Sequence, residues 1–159
     1  MNTLNQSSLK IVFLDIDGVL NTKDSFAKGV ELLASRLLMI ADLISYCDAK
    51  VVITSSLRSN ITLNKLRSMF ERNGFYKGSQ DIIGYTPHDA NGQRGNEIGE
   101  WVQAVERDGF KVDKYVVIDT GGYDLWEEQK ARLIKTDPEF GFSISNYVTA
   151  TTLLGAAQG

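Results

Sequence analysis

The sequence predicts a three-layer α/β fold, a Rossmann-like parallel sheet with helices on both faces. Three observations predict it. Short apolar runs such as IVFL, VVI and YVVI lack the in-out alternation of a half-exposed strand, so both faces of each need cover. Stretches with a helical period separate these runs. Strands joined through helices pack as a parallel sheet.

Taken in order, Ile11–Leu14 reads as a buried strand. From Val30 to Tyr46 the pattern is helical, with Leu33, Leu37, Ala41 and Ile44 on one stripe. Val51–Ile53 is a second strand, β-branched throughout. Leu63, Leu66 and Phe70 mark a helix that stops at Gly74, a residue suited to a left-handed cap. Ile82–Tyr85 is a short third strand. Ile98, Trp101, Val102 and Val105 fall at i, i+3, i+4 and i+7, so Asn96–Arg107 is helical and Gly109 closes it. Tyr115–Ile118 is the next strand, Arg132–Lys135 the last, and Ser145–Leu154 a final helix.

The 159 residues suit one domain, placed at 9–155 with flexible ends at 1–8 and 156–159. The composition is that of a globular chain, 43% hydrophobic and 23% charged. A net charge of -3 leaves no basic excess for bulk nucleic-acid binding, although a local basic groove stays open. Cys47 is the only cysteine, which excludes an internal disulfide and a cysteine metal cage. It reads as a small buried hydrophobe. The start, MNTLNQSSLK, lacks an apolar signal core, and no stretch approaches the roughly 18 apolar residues of a membrane span. The expected location is the cytoplasm. The oligomeric state is open.

In an open parallel sheet the ligand site lies beyond the carboxyl ends of the strands. There the first strand is followed by Asp15 and Asp17, the second by Thr54, Ser55, Ser56 and Arg58, and the Tyr115–Ile118 strand by Asp119, Thr120, Gly121, Gly122 and Asp124. Crowded carboxylates disfavour each other's ionisation unless a cation intervenes. Carboxylate oxygens suit Mg²⁺, which leaves part of its shell to a substrate phosphate. The hydroxyls of Thr54 and Ser55 are placed to hold phosphate oxygens, with Arg94 as the companion cation and Arg58 as the alternative. An EF-hand is excluded, since counting from Asp15 puts glycine at position four and Phe26 at position twelve. The dinucleotide pattern GxGxxG is absent. The lone histidine, His88, has no metal-binding companion in its polar loop. Trp101 reads as core, and Tyr123 and Trp126 as core or pocket rim.

VFLDIDGVLNT resembles the first motif of the haloacid dehalogenase-like (HAD) superfamily of phosphohydrolases, DxDGxL. Val51–Thr54 resembles the second motif, RGNEI at Arg94–Ile98 the third, and VVID at Val116–Asp119 with Asp124 the fourth. The resemblance spans about residues 9–140. It implies that Asp15 is the nucleophile and forms an aspartyl-phosphate, and that Asp17 is the proton carrier. It implies Mg²⁺ held by Asp15, the backbone carbonyl of Asp17, Asp119 and Asp124, with Thr54 and Arg94 on the phosphoryl oxygens. Two departures stand out. The third-motif cation, usually Lys, is Arg94, which keeps the role through bidentate contact. Thr120 follows Asp119 where a second Asp is common, so Asp124 or Thr120 completes the metal shell.

Members of this superfamily set substrate choice through cap insertions. Between Asp17 and Thr54 there is room for one helix and a loop, and between Thr54 and Arg94 for a helix, a short strand and a loop. No separate cap domain is expected. An open crevice suits a small phosphate ester, a nucleotide or a nucleic-acid end. The expected activity is a Mg²⁺-dependent phosphatase. The alternatives are a phosphotransferase and a non-catalytic module that binds a phospho-ligand.

Overall fold

The computed structural model describes residues 7–158. Five strands form one parallel sheet: β1 (Ser7–Leu14), β2 (Lys50–Ile53), β3 (Ile82–Tyr85), β4 (Phe110–Asp119) and β5 (Leu133–Lys135). Their order is β3-β2-β1-β4-β5. The chain steps outward from β1 to β3 and returns to β4 on the other side of β1. The reversal therefore lies between β1 and β4, and a crevice opens there beyond their carboxyl ends.

The helices are α1 (Lys23–Ala27), α2 (Ala34–Cys47), α3 (Leu63–Arg72), α4 (Gly78–Asp81), α5 (Arg94–Arg107), α6 (Glu127–Lys130) and α7 (Ile144–Leu154). Alternate strand residues face opposite layers. Val12, Leu14, Val51, Ile53, Val116 and Ile118 pack with α2, α3 and α7 through residues such as Leu37, Leu66 and Leu154. Ile11, Phe13, Val52 and Val117 pack on the other side with Ile98 of α5 and Leu125. Trp101 joins that second layer, its ring edge-on to Phe13 at 5.6 Å between centroids. Cys47 is fully buried, as a small hydrophobe should be.

Several elements differ from expectation: the short helices α4 and α6 were not expected, and β4 begins at Phe110 rather than Tyr115. β1 begins at Ser7, where Ser7 and Ser8 pair with Phe110 and Lys111 of β4, so these two residues are strand rather than free end. Residues 1–6, expected to be flexible, lie outside the described residues, as does residue 159. At the other end Ala157 N–H donates to Tyr46 O at 2.8 Å, and Lys10 Nζ donates to Gly155 O at 3.0 Å. Helix α2 starts at Ala34 rather than Val30, and buries Leu37 and Ile44 of the expected stripe together with Ile40, Leu43 and Cys47. Leu33 falls outside the helix as its N-cap, and Ala41 is half-buried against the core. Helix α1 was not expected. Its five residues are too short for a period, and it rests on a capping box in which Thr22 accepts from Ser25 N–H and Ser25 Oγ accepts from Thr22 N–H. Helix α3 ends at Arg72, and Gly74 follows at φ +112°, as predicted for its cap.

Among the described residues no helix is long and apolar enough to cross a membrane. The connections from β1 to β2 and from β2 to α5 hold short helices, one turn and the edge strand β3. Among the described residues no separate cap domain is present.

Candidate active site

The sheet builds its rim by one repeated device. Each residue that follows a strand donates its backbone N–H to the neighbouring strand's last carbonyls. Asp15 N–H donates to Ile118 O at 3.0 Å, Thr54 N–H to Leu14 O at 3.0 Å, Thr86 N–H to Ile53 O at 3.1 Å and Thr136 N–H to Asp119 O at 2.9 Å. The sheet thus ends in a row of polar side chains in the order Thr86, Thr54, Asp15, Asp119, Thr136. Thr86 and Thr136 were not singled out from sequence. Their signal was the position directly after a strand end.

Asp15 sits at the centre of the row. Its Oδ1 accepts from Ile16 N–H at 2.8 Å, leaving Oδ2 toward the crevice. Arg94 Nη1 reaches that Oδ2 at 3.4 Å and is also hydrogen-bonded to Asp119 Oδ2. One guanidinium edge therefore lies between two carboxylates. Asp119 Oδ1 is held by Gly121 N–H at 3.0 Å. The Asp15 carboxyl is pushed up to about 6, first by burial and then by the charge of Asp119, with a smaller push from Asp17; Arg94 and Ile16 N–H oppose this. Burial works against the charge on Arg94, but Asp119 and Asp15 outweigh it and raise its pKa.

Asp17 is exposed at the crevice mouth. Its Oδ1 accepts from Asn21 Nδ2 at 3.1 Å. Asn21 is buried, and its own Oδ1 accepts from Gly18 N–H at 2.8 Å while Nδ2 donates to Glu31 O at 2.9 Å. Asn21 thus locks the turn that presents Asp17, a role sequence reasoning missed. An Asx-type residue three positions after Gly18 was the available cue. Gly18 has φ +78°, and an added Cβ would collide with the Thr120 methyl, so glycine is needed for both conformation and space.

Thr54 is fully buried, and its Oγ1 has no hydrogen-bond partner. Among the described residues Arg94 Nε is a second buried side-chain atom in this state. Buried polar atoms are nearly always paired, so two orphans beside one crevice indicate a missing oxygen-rich partner. Ser55 has a local structural role as well. Its Oγ accepts from Leu57 N–H at 3.2 Å and caps the turn Ser56–Ser59. Arg58 is buried and fully engaged: it donates to Thr54 O at 2.6 Å, Ser55 O at 2.9 Å and Thr86 O at 2.9 Å, and pairs with Glu97 at 2.9 Å. It braces the rim from behind and is not a free cation, whereas Arg94 faces the carboxylates.

The expected four-aspartate set divides. Asp15 and Asp119 meet. Asp124 Oδ2 accepts from Arg94 N–H at 2.8 Å, which fixes the start of α5 and so the base of the Arg94 side chain. Thr120 turns its methyl toward Gly18. Among the described residues no three His, Cys, Asp or Glu side chains form a closed metal cage. Mg²⁺ does not require one, since one or two carboxylates with water and substrate phosphate suffice. The half-buried Asp15 and buried Asp119 carboxylates fit that donor set. His88 is exposed, 3.4 Å from Ser59 Oγ. Tyr123 is exposed, and Trp126 packs over Gly95 and Gly99 of α5 with Nε1 donating to Asn96 Oδ1 at 2.9 Å.

The model for the family described as "HAD domain in Swiss Army Knife RNA repair proteins" matches residues 11–146. No curated protein and no solved structure matches the chain.

Proposed function

The chain belongs to the family of HAD domains in Swiss Army Knife RNA repair proteins, and on that premise we propose that it is a Mg²⁺-dependent phosphatase acting on phosphomonoesters, with an RNA end as the substrate the family description favours. One observation carries the reading. The unpartnered Thr54 Oγ1 and Arg94 Nε flank a carboxylate pair that a single guanidinium bridges. A phosphoryl group supplies oxygens for both orphans and phosphorus for the carboxylate.

Asp15 Oδ2 is the attacking atom, because Oδ1 is tied to Ile16 N–H. Its oxygen bonds to phosphorus as the ester P–O bond breaks, giving an aspartyl-phosphate. The leaving oxygen departs with a proton from the Asp17 carboxyl, a role that its exposure at the mouth supports. In the second half, Asp17 takes a proton from water as that water attacks phosphorus. Phosphate leaves and the Asp15 carboxylate returns. Thr54 Oγ1 and Arg94 hold the oxygens that gain charge in the transition state. Asp15 and Asp119 would hold Mg²⁺, which when bound offsets the negative charge gathered around the phosphoryl group.

The test is release of phosphate from a generic aryl phosphate with and without Mg²⁺, beside Asp15→Asn. Metal-dependent release that disappears in the variant is expected. Release that survives Asp15→Asn, or equal inactivity of both proteins toward aryl, nucleotide and oligonucleotide phosphates, would overturn the reading.

A further inference from the structure

Phe26 is 54% exposed beside the crevice. It stands on α1 between two cavities that both reach Asp17. One, of about 260 Å³, is lined by Gly18, Thr120, Pro138 and Phe26. The other, of about 160 Å³, is lined by Phe26, Leu32, Leu57 and Met69, with Glu31 on its wall. Met69 continues into a third hollow of about 500 Å³ on α3, bordered by Lys65 and Arg72. Lys65, Met69 and Arg72 are spaced i, i+4 and i+7, so they share one face of the helix. Lys65 and Arg72 are exposed and make no salt bridge among the described residues.

We propose that Phe26, Met69, Lys65 and Arg72 form a track that leads a single-stranded nucleic-acid end into the site, with Phe26 as the platform for the terminal base. The inference rests on the phosphatase reading above and deepens it. Asp17 marks the side on which the leaving group departs, so the leaving nucleoside lies against Phe26. An aromatic face on a largely apolar wall, with Asp17 and Glu31 at its edges, stacks a base of any sequence. Glu31 repels phosphate on the second cavity's wall, so a base fits there and the next phosphates fall further out. Lys65 and Arg72 border the hollow that Met69 shares with the second cavity. This local basic face accommodates a strand although the chain as a whole is acidic.

The experiment compares a terminally phosphorylated octaribonucleotide, a nucleoside monophosphate, a phosphotyrosyl peptide and glycerol phosphate. In Phe26→Ala the kcat/KM ratio of nucleoside monophosphate over glycerol phosphate falls about tenfold, and Phe26→Trp restores it. In Lys65→Ala/Arg72→Ala the octanucleotide loses its advantage over the mononucleotide, and its salt dependence flattens by about 1.4 log units per decade for two lost contacts. Unmoved ratios overturn the track, as does a phosphotyrosyl peptide that equals the octanucleotide with the same dependence on Phe26. Binding of the same ligands to Asp15→Asn separates the two readings. Phe26-dependent binding without any turnover by the unmodified chain keeps the track and removes the phosphatase. Turnover with unmoved ratios does the reverse.

Discussion

Arg58 and Glu97 form an ion pair 2.9 Å long whose side chains are only 4% and 7% exposed. Arg58 also braces the carbonyls of Thr54, Ser55 and Thr86, while Glu97 accepts from Asp89 N–H at 3.0 Å. The pair ties the rim after β2 to the helix that carries Arg94. Removing one partner leaves a buried charge uncompensated, which costs about 3–5 kcal/mol. Glu97→Ala is therefore expected to lower the denaturant midpoint sharply. Because neither residue faces Asp15, KM for a phosphate ester should move little in the protein that remains folded. A large KM effect without loss of stability would return Arg58 to the role of phosphate cation.

Thr54→Val separates stability from function. The Thr54 hydroxyl is buried without a partner, and such a group carries a penalty of about 1–3 kcal/mol. Valine has the same branching and nearly the same volume. The variant should melt at the same temperature as the unmodified protein or a few degrees higher. Inorganic phosphate, which should raise the melting temperature of the unmodified protein, should protect the variant less. Lower thermal stability in the variant would mean that Thr54 Oγ1 has a partner within the fold.

Gly99→Ala tests the loop that follows β4. Trp126 lies directly against the Gly99 backbone, and an added methyl would fall on its ring. Trp126 N–H is held by Gln129 Oε1 at 2.9 Å, and Gln129 Nε2 donates to Gly95 O at 3.0 Å, so the loop is docked on α5 as a unit. Overpacking of this kind costs about 1–3 kcal/mol. The expected result is a lower melting temperature together with a red-shifted tryptophan emission as Trp126 is displaced. Asp124 belongs to the same loop, so the start of α5 should loosen and activity should fall with it.

Much of this architecture was readable because strands and helices of this kind announce themselves through burial. IVFL, VVI and YVVI have no polar face, so their place at the sheet centre follows from the residues alone. The site was readable through topology: Asp15, Thr54 and Asp119 each stand at the carboxyl end of a strand. What escaped prediction depends on who is near whom. Ser55 and Arg58 carry the right chemistry at the right strand end, but the turn that follows consumes one as a cap and buries the other. Asp124 belongs to the expected metal set, and only the nearby start of α5 shows that its Oδ2 accepts from Arg94 N–H. Asn21 and α1 are held by local hydrogen bonds that leave no periodic trace.

Asp15→Asn should stabilise the metal-free protein, and the effect should depend on pH. The Asp15 carboxyl is raised from 3.8 to about 6 in the folded state, chiefly by burial and by Asp119. A raised carboxyl pKa means that folding favours the protonated form. That contribution is fully present below about 4, where the unfolded chain also holds the proton, and is lost as pH rises through about 6. Near neutral pH the folded protein therefore carries an ionised carboxylate at a cost on the order of 1–3 kcal/mol. Asparagine removes the charge and keeps the shape. In chelator the variant should melt above the unmodified protein at about pH 7, and the gap should close toward about pH 4. Added Mg²⁺ should raise the melting temperature of the unmodified protein more than that of the variant, since the carboxylate that destabilises the free protein is the one the cation would neutralise. A gap that widens toward acid would show that Asp15 is stabilised as the anion by Arg94, with no unmet charge left for a metal.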